Sequence, residues 1–380
     1  MENNCKRRVF VIGGGAGGLT AAIAAARAGA DVTIWEKANR VGKKILKTGN
    51  GRCNLSNRNV GPWAYNHPEF VAPVLEELPC ETLLDFFSEL GLWTVADSEG
   101  RIYPRSDTAA SVLDVLRLGC AEAGAREVCS TEALALHPEK GGWRLELQNG
   151  ANHHADAVIV ATGGGTNLLK GLEQPMVPFS PVLCPLRTDI GPIRGLTGLR
   201  VKCRARLLRG KKTVADERGE ILFRDYGVSG ILALDLSRFA EKGQTLSLDL
   251  MPDMSEEALL GKLWSRMELG RAPEEFLTGI FHRRVAEALI RLAGGTDPED
   301  LARVIKNLTL EVYGPGDTAN AQVTRGGADV SAFDPRTLSS LRHPGLYAVG
   351  EALDIDGRCG GYNLHWAFAS GLAAGRSAAE

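Results

Sequence analysis

Gly13, Gly15 and Gly18 stand in the order G-x-G-x-x-G, and an acid, Glu36, follows 23 residues after the first of them. Glycines at this spacing let a chain turn sharply, let its backbone approach an anionic ligand and let a helix pack against a strand. Residues 9–12 are β-branched or aromatic, residues 19–28 are alanine-rich, and residues 31–35 read as a second strand. The glycines, with Ala16 and Gly17 between them, therefore fall in a strand, turn, helix, strand frame. The helix would aim free N–H groups and the positive end of its dipole at a pyrophosphate. Glu36 would accept the hydroxyls of an adenosine ribose and repel a 2′-phosphate. At this point FAD and NAD are both open.

The stretch after Glu36 is basic, punctuated by glycine and poorly periodic: Lys37, Arg40, Val41, Gly42, Lys43, Lys44, Lys47, Thr48, Gly49, Asn50, Gly51, Arg52, Cys53, Asn54. An NAD domain usually enters its next helix here. A loop of this kind can lay backbone N–H groups and positive side chains along an extended anion, which suits FAD better than NAD; a solvated basic loop is the plainer reading. A strand over 155–160 enters Ala161, Thr162 and Gly163 and returns the chain to the same turn. Gly350, Glu351 and Asp354 follow a strand over 346–349, and Gly360, Gly361, Tyr362 and Asn363 lead into a helix expected from Leu364. Asp354, Asp356 and Arg358 would equally suit a solvated turn, Trp366 and Phe368 read as core, and His365 fits either role.

VIGGGAGGLTAA, EK and GKKILKTGNGRCNLSN, with VIVATGGG at 158–165 and GLYAVGEALDIDGRCGGYNLHWAFASGLAAG at 345–375, resemble the YhiN-like bacterial flavoproteins, also called the aminoacetone-oxidase family, over essentially the whole chain. The resemblance implies FAD held by Gly13, Gly15, Ala16, Gly17, Gly18, Glu36 and Lys37, and by Val41, Gly42, Lys43, Lys44, Thr48, Gly49, Asn50 and Asn54. It adds Ala133 near the adenine through its backbone, then Ala161, Thr162, Gly163, Gly350, Glu351, Asp354, Gly361, Tyr362, Asn363 and Leu364. In that placement Glu351 or Asp354 binds ribityl hydroxyls, and N–H groups around Asn363 and Leu364 face the flavin pyrimidine edge, where they raise the reduction potential.

For activity the resemblance implies an FAD-dependent oxidoreductase. It either reduces an activated double bond, such as that of an unsaturated keto steroid or bile-acid intermediate, with NADH or NADPH as donor, or oxidises an amine of the aminoacetone type; the reductase is preferred. A flavin-based redox sensor without turnover and a tRNA-modifying flavoenzyme are the other readings, the latter disfavoured by the short chain and the lack of basic excess. No side chain stands out as catalytic acid or base. The family pattern has Thr-His before Tyr-Gly and proline after Ser-Gly, where this chain has Arg224-Asp225 and Ile231, so its substrate cannot be carried over. Ser229 lacks the G-x-S-x-G setting of a hydrolase nucleophile.

These residues need a frame. At 380 residues two or three domains are expected. Helices are expected over 69–78, 81–90 and 107–123, the last capped by Asp107, and strands over 126–130 and 143–147. Prolines thicken from 175 to 192 and mark a crossing into another domain. Strands over 199–208, 220–223, 232–236 and 245–250 suggest a small β-barrel, and 255–293 reads as helical. The fold class is thus α/β: a Rossmann-like FAD-binding domain (1–175 and 331–380) with an inserted β-barrel domain (176–253 and 306–330) carrying a small helical subdomain (254–305). A net charge of −2, with both signs dispersed, argues against a polyanion partner. The partner expected is a small-molecule substrate. The eight cysteines form no C-x-x-C pair and the histidines are scattered, so neither a metal nor a redox disulfide is expected. No signal peptide or apolar span is read, and the expected location is the cytoplasm.

Overall fold

The computed structural model describes residues 6–165, 167–316, 318, 321 and 323–380. They form two compact units, Met1–Ser180 with Val323–Glu380, and Pro181–Gln322. The sequence reading put the crossings at 175/176 and 330/331.

In the first unit five parallel strands make a sheet in the order Leu346–Ala348, Ala157–Val160, Arg8–Ile12, Asp31–Trp35, Arg126–Val128. Three of them, Arg8–Ile12, Asp31–Trp35 and Ala157–Val160, are almost wholly buried apolar runs, as strands covered on both faces must be. The helix Ala16–Arg27 packs against the last helix, Tyr362–Ala379, through small residues. A Cβ on Gly17 would stand 2.9 Å from the Ala367 carbonyl, and one on Gly375 would stand 2.3 Å from the Ala21 carbonyl. Thr20 Oγ1, buried between the two helices, lies within hydrogen-bonding reach of the Ala16, Gly17 and Phe368 carbonyls. Side chains this small let two backbones meet, which brings two helix N-termini to one end of the sheet.

Helices Pro68–Glu77, Cys80–Glu89 and Ala109–Ala123 complete the helical layer. Asp107 does not cap the third of these. Thr108 does, accepting from the Ala110 N–H, while Asp107 sits at φ +58° with its carboxylate taken by Arg52 at 2.5 Å. The stretch expected as one strand over 155–160 is split: Asn152–Ala155 belongs to an antiparallel sheet with Ala133–Glu139 and Gly142–Leu147, and Ala157–Val160 to the parallel one.

The second unit is a closed six-stranded barrel in the order Leu186–Thr188, Gly227–Ser229, Lys212–Arg224, Arg200–Arg209, Thr245–Asp249, Leu308–Pro315, the last pairing back to the first through Leu186 and Pro315. Val323–Ala328, expected in the barrel, pairs instead with Met176–Val182. Residues 232–236 form no strand either. They lie in the helix Ile231–Ser237, because Gly230 at φ +91° turns the chain and Leu232, Ala233 and Leu236 then share a buried face at helical spacing. The alternation of Leu232, Leu234 and Leu236 imitates a strand. Helices Glu256–Met267, Arg283–Ala293 and Pro298–Lys306 follow, and Lys306 Nζ ties the last of them to the Met251 and Met254 carbonyls and to Asp249.

Candidate functional site

The carboxyl end of the parallel sheet gathers most of the residues singled out from the sequence. Gly13 sits at φ +105°, and a Cβ there would stand 2.6 Å from the Ala161 carbonyl, so the turn must be glycine for both reasons. Gly18 lies against the Gly13 carbonyl, where a Cβ would stand at 1.9 Å. Gly15 is different. Its φ is −82°, open to any residue, and a Cβ would meet nothing within 4 Å. The protein's own packing gives no reason for glycine there. The position is the N-cap of the first helix, and no side chain caps it, so the N–H groups of the first helical turn, at Ala16, Gly17 and Gly18, present the positive end of the helix to that open space.

Glu36 closes the second strand and is pinned by two backbone donors, Gly14 N–H at 2.8 Å and Ala38 N–H at 2.7 Å. Its carbonyl accepts from the Thr131 N–H, two residues before Ala133, where the next strand starts. Lys37 is exposed. Val41 packs on Gly14, and Gly42 donates to the Gly14 carbonyl at 2.7 Å, so the basic loop doubles back onto the glycine turn. Lys43 is exposed, and Lys44 pairs with Glu351. Glu351 also approaches Gly163, whose Cβ would lie 3.5 Å from its Oε2. The loop, the Ala161–Thr162–Gly163 segment and the Gly350–Glu351 turn thus meet.

Thr48 closes a short turn on the Ile45 carbonyl at 2.6 Å, and Gly49 and Asn50 both take left-handed backbone angles. Asn54 Oδ1 is buried with no hydrogen-bond partner and lies 2.8 Å from where a Cβ of Gly361 would stand. Gly361 has φ +102° and is the N-cap of the last helix, again without a side-chain cap. That helix begins at Tyr362, two residues earlier than expected, so Asn363 and Leu364 lie in its first turn. The Asn363 amide is spent on the chain itself, bonding Gly357 N–H at 2.7 Å and the Gly357 and Arg358 carbonyls.

Asp354 is engaged within the chain. Its carboxylate is buried against His67 Nε2 at 3.0 Å and the Gly326 N–H at 2.9 Å, because it staples the Asn66–His67 segment to the Val323–Ala328 strand. Asp356 is likewise buried, and Arg325 holds it at 2.8 Å. Of the two acids considered for the ribityl hydroxyls, Glu351 is the one directed toward Gly163. Cys53 is sealed in, and burial pushes its thiol up to about 11, which removes it as a nucleophile. Ser229 lies in a barrel strand opposite Leu222.

The sequence reading passed over Ser56 and left His365 undecided. His365 is fully buried, with Nδ1 2.9 Å from Ser56 Oγ and Nε2 3.0 Å from the Leu78 carbonyl; burial lowers the imidazole to about 4. A polar residue amid the apolar run of the last helix is the sequence feature by which it can be found. No helix among the described residues is long and apolar enough to cross a membrane.

The HI0933-like protein Rossmann domain family matches residues 7–377. A 3-dehydro-bile acid delta(4,6)-reductase of Clostridium scindens is 37% identical over 409 aligned positions, covering 98% of this chain and 99% of that protein. Ribosomal RNA dihydrouridine synthases of Escherichia coli and Haemophilus influenzae are each 27% identical, over 96% of both chains. On the extent of that match and on the 37% relative, the chain belongs to the HI0933-like family.

Proposed function

We propose that the protein is an FAD-dependent oxidoreductase that reduces a carbon–carbon double bond conjugated to a carbonyl in a small organic substrate, with NADH or NADPH as electron donor. The observation that carries the cofactor is Gly15: an uncapped helix N-terminus opens onto space that only the absence of a side chain leaves free. The pyrophosphate binds there, against the Ala16, Gly17 and Gly18 N–H groups. Glu36 accepts the adenosine ribose hydroxyls, with Lys37 and the Ala133 backbone on the adenine side. Gly13, Val41, Gly42, Ala161 and Thr162 shape the turn. Lys43, Lys44, Gly163, Gly350 and Glu351 line the middle of the ligand, and Thr48, Gly49, Asn50, Asn54, Gly361, Tyr362, Asn363 and Leu364 surround the flavin ring. Asp354 contributes by holding the chain beside Glu351 rather than by direct contact.

When bound, FAD would supply two-electron redox chemistry between a pyridine nucleotide and the double bond, whose second carbon takes a proton from solvent. The chain's own part is electrostatic. The start of the last helix at Gly361, with no side-chain cap, would stabilise negative charge on a flavin held beside it and so favour the reduced state.

The double bond follows from the two kinds of relative. A 3-oxo steroid unsaturated at C4 and C6 and a uracil ring differ in size, yet each offers a C=C conjugated to a carbonyl. A small-molecule substrate is favoured over RNA by the higher identity to the bile-acid reductase, 37% against 27% for the ribosomal RNA enzymes, and by a net charge of −2 with no basic excess.

Anaerobic addition of NADPH, then NADH, to the FAD-loaded protein tests the proposal. Bleaching of the flavin by either, and its return on adding a conjugated steroid enone, is the expected result. A flavin that neither nucleotide reduces, but that aminoacetone does, would replace it with the amine oxidase reading.

A further inference from the structure

We infer that His365 is a positioning residue for the cofactor, fixing through Ser56 the Gly360–Gly361 turn from which the last helix presents its N–H groups. The inference rests on the FAD reading above and concerns residues that do not themselves line the ligand.

The hydrogen bonds have one consistent assignment. The Leu78 carbonyl can only accept, so His365 Nε2, 3.0 Å away, carries the proton. Nδ1 is then a lone pair, and the Ser56 hydroxyl, at 2.9 Å, donates to it. Both ring nitrogens are satisfied by a neutral imidazole, the form that burial enforces.

Ser56 passes this constraint on. Its carbonyl lies so close to Gly361 that a Cβ there would stand 2.2 Å away, and the next residue, Asn57, donates from Nδ2 to the Gly360 carbonyl at 3.0 Å. Ser56 Oγ is also 3.4 Å from Cys80 Sγ, at the start of the Cys80–Glu89 helix. One imidazole therefore ties the last helix to the segment around Leu78 and to the short strand Ser56–Asn57 that abuts the turn. Apolar packing at this depth would be non-directional, whereas two satisfied hydrogen bonds allow one placement of Ser56 and so one placement of Gly361.

His365→Phe and Ser56→Ala remove the link from either end. His365→Gln retains it, since an amide nitrogen can donate to Leu78 and an amide oxygen accept from Ser56. The readouts are FAD dissociation, the flavin midpoint potential, and amide hydrogen exchange at residues 360–364 in protein stripped of FAD. The first two variants are expected to exchange faster at the turn, to bind FAD about tenfold more weakly, the equivalent of one lost buried hydrogen bond, and to show a lower potential; H365Q is expected to restore all three. Folded S56A and H365F proteins that match wild type in all three, with only a lower Tm, would overturn the inference while leaving FAD binding intact. A wild-type protein that takes up no FAD would overturn the functional reading and this inference together.

Discussion

Gly371 and Thr20 meet where the first and last helices cross, so closely that a Cβ on the glycine would stand 2.2 Å from Thr20 Oγ1 and one ångström closer than contact allows to the Gly17 carbonyl, at 2.3 Å. The crossing places the N-termini of both helices at the carboxyl end of the sheet. Gly371→Val should force the helices apart, destabilising the fold by about 1–3 kcal/mol or more and weakening FAD binding with it. Urea denaturation and FAD titration of the same variant check both effects; a variant that loses neither would contradict the packing described.

Gly15 supplies the complementary case. With φ −82° and no neighbour to strike, Gly15→Val should fold almost normally, at a cost of about 1 kcal/mol or less for a poorer helix N-cap, yet lose FAD. Far-UV circular dichroism with visible absorption separates the two. Retention of the yellow colour in a folded G15V protein would move the pyrophosphate elsewhere.

Much of this site can be read from residue types because its demands are on the backbone. Gly13, Gly18 and Gly361 are forced by steric contact or by φ, and a sequence displays such positions as glycine. Short apolar runs such as 9–12 and 157–160 likewise announce buried parallel strands. Polar side chains are less legible, since their partners are set by chain crossings far away in sequence. Asp354 binds His67 and Gly326, Asn363 bonds Gly357, and Ser56 finds His365. The leucine alternation at 232–236 failed for a related reason: Gly230 redirects the chain into a helix that buries Leu232 and Leu236 together.

The pair Lys44 and Glu351 joins the basic loop to the Gly350–Glu351 turn, with the lysine largely exposed. With one partner exposed and the Glu351 side chain only 14% exposed, the pair contributes on the order of 1 kcal/mol to folding. Glu351→Ala should therefore change stability little while weakening FAD binding several-fold through loss of an acceptor for ribityl hydroxyls. Calorimetric titration beside thermal melting measures each; a large fall in Tm with unchanged FAD affinity would make Glu351 structural only.

His365 makes stability depend on pH. Its folded-state pKa, about 4, lies below the 6.5 of a free imidazole, so between these values the unfolded chain binds a proton that the folded chain refuses. Stability from this group is complete above pH 6.5 and declines as pH falls toward 4, by about 3 kcal/mol in all. Urea melts at pH 7, 5.5 and 4.5 should show the decline, and H365Q should show less of it. An equal slope in both proteins would assign the loss to other groups.

Whether the glycine-turn site takes FAD can be measured directly. Titration of the purified wild-type protein with FAD, followed by flavin fluorescence, should show saturable binding at a single site that NAD⁺ displaces poorly. A protein that binds no FAD after denaturation and refolding in its presence, or that prefers NAD⁺, would contradict it.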